Sequence, residues 1–317
     1  MNTRVKWIDF AKGMGIFLMI MGHMPSLPVL FREWIFSFHM PLFFFLSGYV
    51  FKHQDIFVKF KKTIHQILYP YLGYSIVCII IDFLLFRDME EVRNSLWMTL
   101  KGQGGFGILW FFFSLFLVQN IYNIVYKFKH KYILIFAICV VGYIMTLLSI
   151  GEFWKISTSM VAMGFFSIGE YLGKRDKNSL NVSGILLISA AALIVNIAFS
   201  LLNYNCFGKT MDVNNGIYGF LPFSFIAGIA GILFLCVLAQ LFCKCLPGKL
   251  IDLVVYIGAN SRDFYPLTMY IPLRLVAICE LAAIPVNGIF KIGTKIVGFL
   301  VVFIWVAGKK KVTWNNV

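Results

Sequence analysis

The sequence predicts an all-α protein that crosses a membrane about ten times. Of its 317 residues, 60% are hydrophobic and only 13% are charged, and the mean hydropathy is +0.83. Soluble domains carry about 25% charged residues, so this composition is typical of a polytopic integral membrane protein. The apolar residues also come in stretches of about 20, the length with which an α-helix crosses a hydrocarbon core of about 30 Å.

Ten such stretches follow one another, and shorter polar segments separate them. They lie at 7–25, 34–51, 66–86, 108–126, 132–150, 154–173, 182–202, 217–242, 264–284 and 289–307. No composition shift marks a separate soluble part. The whole chain, 1–317, is therefore interpreted as a single transmembrane domain.

The distribution of positive charge supports this count. With the N-terminus inside, the cytoplasmic segments are 1–12, 52–65, 127–131, 174–181, 243–263 and 308–317, and each holds Lys or Arg residues. Because cytoplasmic loops collect Lys and Arg, the pattern predicts an even number of spans with both termini in the cytoplasm. The net charge of +14 has the same origin, so we expect membrane lipid and not nucleic acid as a partner.

Two other classes of feature are not expected. No small-residue cleavage site follows the first apolar stretch, so 7–25 is interpreted as a retained helix rather than a signal peptide. The seven cysteines include no CxxC pair and no Cys/His spacing typical of a metal site. We therefore expect neither a disulfide framework nor a bound metal.

The first span begins and ends with ionisable residues. Asp9 and Lys12 lie one helical turn apart at its cytoplasmic start, where pairing would reduce the cost of burying both. His23 lies eleven residues beyond Lys12, about 16 Å along a helix, in the middle or outer half of the membrane. An imidazole at that depth is costly unless it has a partner or a function.

The second span crosses the membrane back from the outer side to the cytoplasm. His39 lies near its outer end, with Arg32 and Glu33 in the loop that precedes it. Two histidines from antiparallel neighbours could therefore share one cavity, with Arg32 and Glu33 at its mouth. A neutral imidazole can take a proton from a hydroxyl near neutral pH, which makes His23 the candidate general base. The alternative is that the two histidines only hold the hairpin together.

Other polar and aromatic residues have simpler interpretations. Asp9 cannot orient the His23 ring across about 21 Å of regular helix, so Glu33 and His39 are the nearest candidates for that role. Trp110 is expected to be an interfacial anchor or, alternatively, a platform for a sugar ring.

The remaining acidic residues differ in depth. Those near cytoplasmic ends are expected to be solvated: Glu170, Asp252 and Asp263. Two lie deeper and receive no role: Asp82 and Glu280. The outer loops 87–107 and 203–216 either border a site for a hydrophilic acceptor or are ordinary solvated loops.

Several segments resemble the membrane acyltransferase-3 family, and its fucose 4-O-acetylase-like branch in particular. "WIDFAKGMGIFLMIMGH" at 7–23 resembles that branch's Asp-x-x-Lys/Arg-Gly motif ending in Gly-His. "FSFHMPLFFFLSGYVFK" at 36–52 resembles its Phe-His-Met-Pro-Leu-Phe-Phe…Ser-Gly motif. Less specific matches follow in order at 107–117 ("GILWFFFSLFL"), 165–174 ("FFSIGEYLGK") and 256–261 ("YIGANS").

The resemblance implies a fold and an activity. It implies ten membrane helices and transfer of an acetyl group from acetyl-CoA to a sugar hydroxyl of a surface glycan, free or lipid-linked. Acetyl-CoA would be the donor substrate, with no bound cofactor, and the location would be a bacterial cytoplasmic membrane. The residue at the position of His23 is then the catalytic base, and the positions of Asp9 and Lys12 are important.

The chain departs from the family pattern at two places. Before its third helix the family often has arginines, where "KFKKTIHQILYPY" at 59–71 offers Lys61, Lys62 and His65. Lysine binds phosphate as a point charge but lacks arginine's bidentate fork. After the Gly-x-Asn-Ser motif the family usually has a His where this chain has Thr268.

These observations give one preferred hypothesis. The donor's nucleotide would bind Lys12, Lys61 and Lys62 at the inner face, and His23 would activate the acceptor for direct attack on the thioester. A covalent acetyl-enzyme on His23 or Ser47 is the alternative mechanism, although Ser-Gly pairs also serve close helix packing. Arg32, Ser47 and Trp110 are the candidates for the substrate side.

Two rival functions remain open. An exporter should spread charged residues over several central helices, whereas this chain gathers them in the first hairpin. A non-catalytic scaffold of a polysaccharide assembly complex would give His23 no special role. The gathering of polar residues favours the enzyme.

Overall fold

The computed structural model describes residues 5–25, 27–105, 107–175, 182–245 and 248–309. Over this part of the chain the protein is all-α, 81% helical and without strands, which confirms the predicted fold class. In chain order the helices are α1 (Lys6–Gly22), α2 (Val29–Tyr49), α3 (Ile56–Thr63), α4 (Tyr69–Phe86), α5 (Met89–Leu100), α6 (Trp110–Val125), α7 (Lys131–Leu147), α8 (Ile156–Gly173), α9 (Val182–Phe207), α10 (Leu221–Cys245), α11 (Lys249–Ala259), α12 (Ser261–Leu281) and α13 (Gly288–Lys309).

Among the described residues, 6 helical segments are long and apolar enough to cross a membrane. They are Val29–Tyr49, Ile56–Phe86, Leu186–Phe207, Leu221–Cys245, Ser261–Leu281 and Gly288–Lys309. Two shorter apolar helices, α6 and α7, coincide with further predicted spans. The protein is thus a membrane protein, while the count of ten spans and the cytoplasmic termini stay predictions.

The helix that contains the third predicted span begins earlier than the hydropathy suggests. A π-helical segment, Ile64–Leu68, joins α3 to α4, so that helix runs unbroken from Ile56 to Phe86. Pro70 has no N–H with which to bind the Gln66 carbonyl, and a π-helical segment is one way to accommodate such a break. The lysines of α3 lower the local hydropathy, and for this reason the hydropathy pattern places α3 in the cytoplasmic loop 52–65.

Two further segments predicted as loops contain helices. In 87–107, α5 begins where the Asp88 carboxylate accepts the backbone N–H groups of Glu90 and Glu91. In 243–263, α11 buries Val254, Val255 and Ile257. Both helices are too short to span a membrane, so a search for apolar stretches of about 20 residues misses them.

The described residues form two compact units. The first gathers the described residues of 1–43, 177–211 and 222–317, and the second gathers those of 44–176 and 212–221. In the first unit, α1 crosses α11 at two glycines of the sequence motifs. A Cβ atom added at Gly13 would lie 2.2 Å from the Val254 carbonyl oxygen, and one at Gly258 would lie 1.7 Å from that of Asp9. Only residues without a side chain allow the two backbones to approach this closely.

In the second unit, α8 packs against the last turns of α2 in the same manner. A Cβ atom at Gly48 would lie 2.0 Å from the Phe166 carbonyl oxygen, and one at Gly169 would lie 2.1 Å from that of Phe45. A Cβ atom at Gly173 would lie 2.2 Å from the carbonyl oxygen of Tyr49, one turn further along α2. The Ser-Gly motif and the segment at 165–174 are therefore the two sides of one helix crossing.

Candidate functional site

His23 is the first residue after α1, and its side chain is exposed. Its Nδ1 lies 2.9 Å from the carbonyl oxygen of Met19, one turn earlier. A carbonyl oxygen can only accept, so Nδ1 carries the ring proton, and in the neutral ring Nε2 is then a proton acceptor. The sequence pointed to Glu33 or His39 for orienting this ring. In the structure the Met19 carbonyl fills that role, because a residue at a helix end can bond the carbonyl four residues earlier.

His39 lies beside His23 in the first unit, but it is buried, with 3% of its surface exposed. Its Nδ1 lies 3.0 Å from the carbonyl oxygen of Ile35, so its tautomer is fixed in the same way. The two ring centroids are 6.4 Å apart, and the Phe36 ring contacts both, at 5.3 Å and 5.0 Å. The accessible imidazole is thus backed by a second, buried imidazole and an aromatic ring.

The glycine before His23 allows this approach. A Cβ atom at Gly22 would lie 3.0 Å from the Phe36 ring and 3.1 Å from Ile35. Any side chain there would press on the ring that contacts both histidines. The Gly-His motif therefore has a packing reason: its glycine lets the end of α1 lie directly against α2.

The sequence placed Arg32 and Glu33 in the loop before the second span. In the structure both belong to the first turns of α2, because α2 begins at Val29. Glu33 is 3% exposed, and the Thr210 hydroxyl donates a hydrogen bond to its Oε1. Arg32 is half-buried. The carboxylate therefore anchors the segment that follows α9 to the start of α2, where the sequence suggested only a polar rim.

At the other end of α1, Asp9 and Lys12 form the expected pair. Their charged atoms are 3.6 Å apart, and the Asp9 side chain is only 7% exposed. Lys6 makes a second ion pair with Asp252 of α11, at 2.8 Å. Asp252 is nearly half exposed, in keeping with its expected solvation. Its pair with Lys6 joins the start of α1 to α11, whereas the Asp9–Lys12 pair lies within α1.

The lysines of α3 divide into an exposed and a buried group. Lys61, Lys62 and His65 are exposed. Lys59, which sequence reasoning counted only as a loop charge, is 7% exposed, and its Nζ donates to Gln119 Oε1 at 2.7 Å. The spacing of four residues from Lys59 to Thr63 could have revealed this face, because residues at that spacing share one side of a helix.

The sequence suggested that Glu170 is solvated. In the structure only 1% of its surface is exposed, and it lies at the centre of a polar cluster. Its carboxylate accepts hydrogen bonds from Tyr122 at 2.9 Å and Tyr132 at 3.2 Å. Lys131 at 3.2 Å and Lys174 at 2.5 Å complete the set of cations. Lys174 lies one helical turn after Glu170, whereas the two tyrosines and Lys131 come from α6 and the start of α7. Helical spacing in the sequence therefore indicates only one of the four partners.

Three other predicted residues lie in packed surroundings. Trp110 is 5% exposed and contacts Phe44 and Phe111, so it is neither an interfacial anchor nor an open sugar platform. Ser47 is half-buried and precedes the glycine of the α2–α8 crossing. Thr268, which replaces the family's usual His, is 1% exposed and donates to the Phe264 carbonyl at 2.6 Å.

Neither a metal cluster nor a disulfide is found where the structure describes the chain. No group of three or more His, Cys, Asp or Glu residues is placed to hold an ion there. The seven cysteines are all thiols.

Comparison with models of known protein families gives a match. A family model described as an acyltransferase domain matches residues 5–271, from the start of α1 into α12. The matched range contains both histidines, the Asp9–Lys12 pair and the crossings of α1 with α11 and of α2 with α8. No curated protein and no solved structure matches the chain.

Proposed function

The chain belongs to the acyltransferase-3 family and is a membrane acyltransferase, and we propose that it moves an acetyl group from acetyl-CoA to a hydroxyl of a cell-surface sugar. The proposed acceptor is a polysaccharide or its lipid-linked precursor. The motifs of the first two spans favour the fucose 4-O-acetylase-like branch of the family. We further propose a bacterial cytoplasmic membrane as the location, with ten spans and both termini inside.

The observation that carries the proposal is the 2.9 Å contact of His23 Nδ1 with the Met19 carbonyl oxygen, from which we infer that Nδ1 carries the ring proton. Because the Met19 carbonyl holds that proton, Nε2 is the atom that can accept another. In the proposed step, Nε2 takes the proton of the sugar hydroxyl while the hydroxyl oxygen attacks the thioester carbonyl carbon. The new C–O bond replaces the C–S bond, and the departing thiolate of CoA takes the proton from His23. Direct transfer needs no acetyl-enzyme on His23 or Ser47, which is the alternative route.

His39 and Glu33 support this base without being placed on the reacting atoms. The buried His39 and Phe36 form the wall against which the His23 ring lies. Glu33 fixes the segment after α9 through Thr210, and Arg32, one residue before it, is the proposed contact for the acceptor's polar groups. Ser47 and Trp110 serve packing in this scheme.

The donor's phosphates need cations at the inner face. Lys12 is proposed as one, because Asp9 holds it in a defined position and its side chain is still 26% exposed. Lys61 and Lys62 are proposed as the others, since both are exposed. Saturable binding of acetyl-CoA that is lost in Lys12→Ala supports this role, and binding that does not change contradicts it.

The test uses cells that lack the gene. These cells are complemented with the wild type, with His23→Ala, or with His130→Ala, which removes an exposed histidine before α7 as a matched control. We expect mass spectra of the surface glycan to show acetyl groups with the wild type and His130→Ala but not with His23→Ala, at equal protein abundance in the membrane. Restoration by all three contradicts the role of His23. A glycan of unchanged composition but changed surface amount would indicate an exporter instead.

A further inference from the structure

An exposed aromatic surface lies in the second unit, on two segments that contain none of the residues proposed above for catalysis or substrate binding. Trp97 at the end of α5 is 52% exposed, and Phe153 and Trp154 in the turn before α8 are 46% and 44% exposed. The centroids of Trp97 and Phe153 are 6.5 Å apart, and those of Phe153 and Trp154 are 5.5 Å apart. We refer to these three rings as the aromatic platform.

The backbone holds Trp154 in a conformation that side chains rarely adopt. Its φ is 59° and its ψ is 15°, in the left-handed region. Its backbone N–H donates to the Lys101 carbonyl at 2.9 Å, and its indole Nε1–H donates to the Leu100 carbonyl at 2.9 Å. On the inner side its ring contacts Phe113 at 5.9 Å. The ring is therefore fixed at both ends, with part of its surface open.

We propose that the aromatic platform binds sugar rings of the acceptor saccharide that are not themselves acetylated. This deepens the proposed function and rests on it, since it assigns a subsite to the same acceptor. The faces of aromatic rings carry partial negative charge, which attracts the weakly positive C–H faces of pyranose rings. Saccharides need such flat faces together with polar groups that bind hydroxyls.

Hydrogen-bond donors and acceptors surround the rings of the aromatic platform. The Lys101 ammonium lies 5.2 Å from the centroid of Trp97. Gln103, whose amide lies 3.5 Å from the Glu152 carbonyl oxygen, adds a donor and an acceptor, and the exposed Glu152 adds a carboxylate. An apolar floor with a few polar groups at its edge is the general pattern of a site for a small polar ligand.

The same rings could instead anchor the protein in the lipid interface. Tryptophans in that role place the ring among the acyl chains and leave the indole N–H to polar groups at the surface. The indole N–H of Trp154 is already bound inside the protein. That orientation leaves the ring surface, rather than its polar edge, to meet a ligand, which favours the saccharide. In the proposed topology, 87–107 and the turn before α8 also lie on the outer side, where the glycan is.

Binding can be measured without catalysis. The probe is the surface polysaccharide of the producing cells, stripped of acetyl groups with mild alkali, titrated into the detergent-solubilised full chain and followed by tryptophan fluorescence. A second readout, retention of the protein on the immobilised polysaccharide, does not depend on the number of tryptophans. The variants are Trp97→Ala, Phe153→Ala, the conservative Trp97→Phe and Phe153→Tyr, and Trp97→Leu, which keeps apolar area without a flat ring. Leu148→Ala, at a side chain 63% exposed in the same unit, is the control.

We expect the two alanine variants and Trp97→Leu to weaken polysaccharide binding about tenfold each. The conservative aromatic variants and Leu148→Ala should bind like the wild type. No binding by the wild type, or equal binding by all variants, overturns the proposal. Binding by Trp97→Leu at the wild-type level, with Trp97→Ala extracted more readily from membranes, indicates a lipid anchor and also overturns it. His23→Ala should bind normally, so a failure of acetyl transfer is distinguishable from a failure of the platform.

Discussion

At the scale of single residues, the tautomer of His23 decides which of its nitrogens can act. The carbonyl that fixes it belongs to Met19 of the same helix, so the ring is oriented as soon as α1 forms. A carboxylate partner would also stabilise the charged imidazolium, whereas a neutral carbonyl does so less. The base is therefore positioned by local helix geometry, and its environment is completed by Phe36 and His39.

Glu170 provides a prediction about stability. In Glu170→Gln, Lys131 and Lys174 lose their carboxylate, and Lys131 is left nearly buried with its charge unpaired. Loss of one partner of a buried ion pair costs about 3–5 kcal/mol, and the half-exposed Lys174 places this case at the lower end. Thermal unfolding of the solubilised protein should show a clearly lowered Tm. Glu90→Gln, which breaks an exposed pair with Arg93, should cost less than about 0.5 kcal/mol. Equal shifts of Tm in the two variants would contradict a stabilising role for the polar cluster around Glu170.

Thr268 provides a prediction about chemistry. Its hydroxyl is bound to the Phe264 carbonyl of its own helix, so it cannot replace the acid–base function of a histidine. Thr268→Val should cost about 1 kcal/mol of stability and leave the rate of acetyl transfer at the wild-type level. A fall of about 10²-fold, the size expected for an acid–base group, would show that the hydroxyl takes part in the reaction.

Much at this scale could be predicted from the sequence, but only where partners are close along the chain. The Asp9–Lys12 pair follows from helical spacing, and the nearness of His23 and His39 follows from an antiparallel hairpin. The burial of Glu33 was missed because the start of α2 was placed five residues too late. The contacts of Lys59 with Gln119 and of Glu170 with Tyr122 and Tyr132 join different helices, so spacing along the chain does not predict them.

At the scale of helices, glycines decide which elements can touch. The crossing of α1 and α11 joins the Lys-Gly part of the first motif to the Gly-x-Asn-Ser motif, which the sequence treats as separate features. It also explains why a helix of only 11 residues is buried here: its glycine allows direct backbone contact with α1. Apolar length alone predicts neither α11 nor the amphipathic α5.

Gly258→Ala tests this crossing. The added methyl group would meet a backbone oxygen at 1.7 Å, so the two helices must move apart. Overpacking of this kind costs about 1–3 kcal/mol or more, and we expect a lowered Tm and a reduced amount of folded protein in the membrane. Gly293→Ala, in a helix of the same unit with nothing within 4 Å of the added atom, should lower neither. If both variants behave alike, the crossing is not a determinant of the fold.

At the scale of the whole molecule, composition alone identifies the class of protein. A chain that is 60% hydrophobic and 13% charged has too little polar surface for a soluble domain, and the all-α structure agrees. Composition does not reveal that the described residues cluster into two units, with α2 contributing to both. That division depends on long-range packing, such as the α2–α8 crossing, which no local pattern encodes.

The central claim is that a membrane acyltransferase uses His23 as its general base. The most direct measurement is transfer of a ¹³C-labelled acetyl group from acetyl-CoA to the de-acetylated polysaccharide by the purified protein. The rate in His23→Ala should fall by about 10²–10⁴-fold, while Tm and acetyl-CoA binding stay at the wild-type level and His130→Ala remains fully active. A rate for His23→Ala equal to that of the wild type would contradict the account.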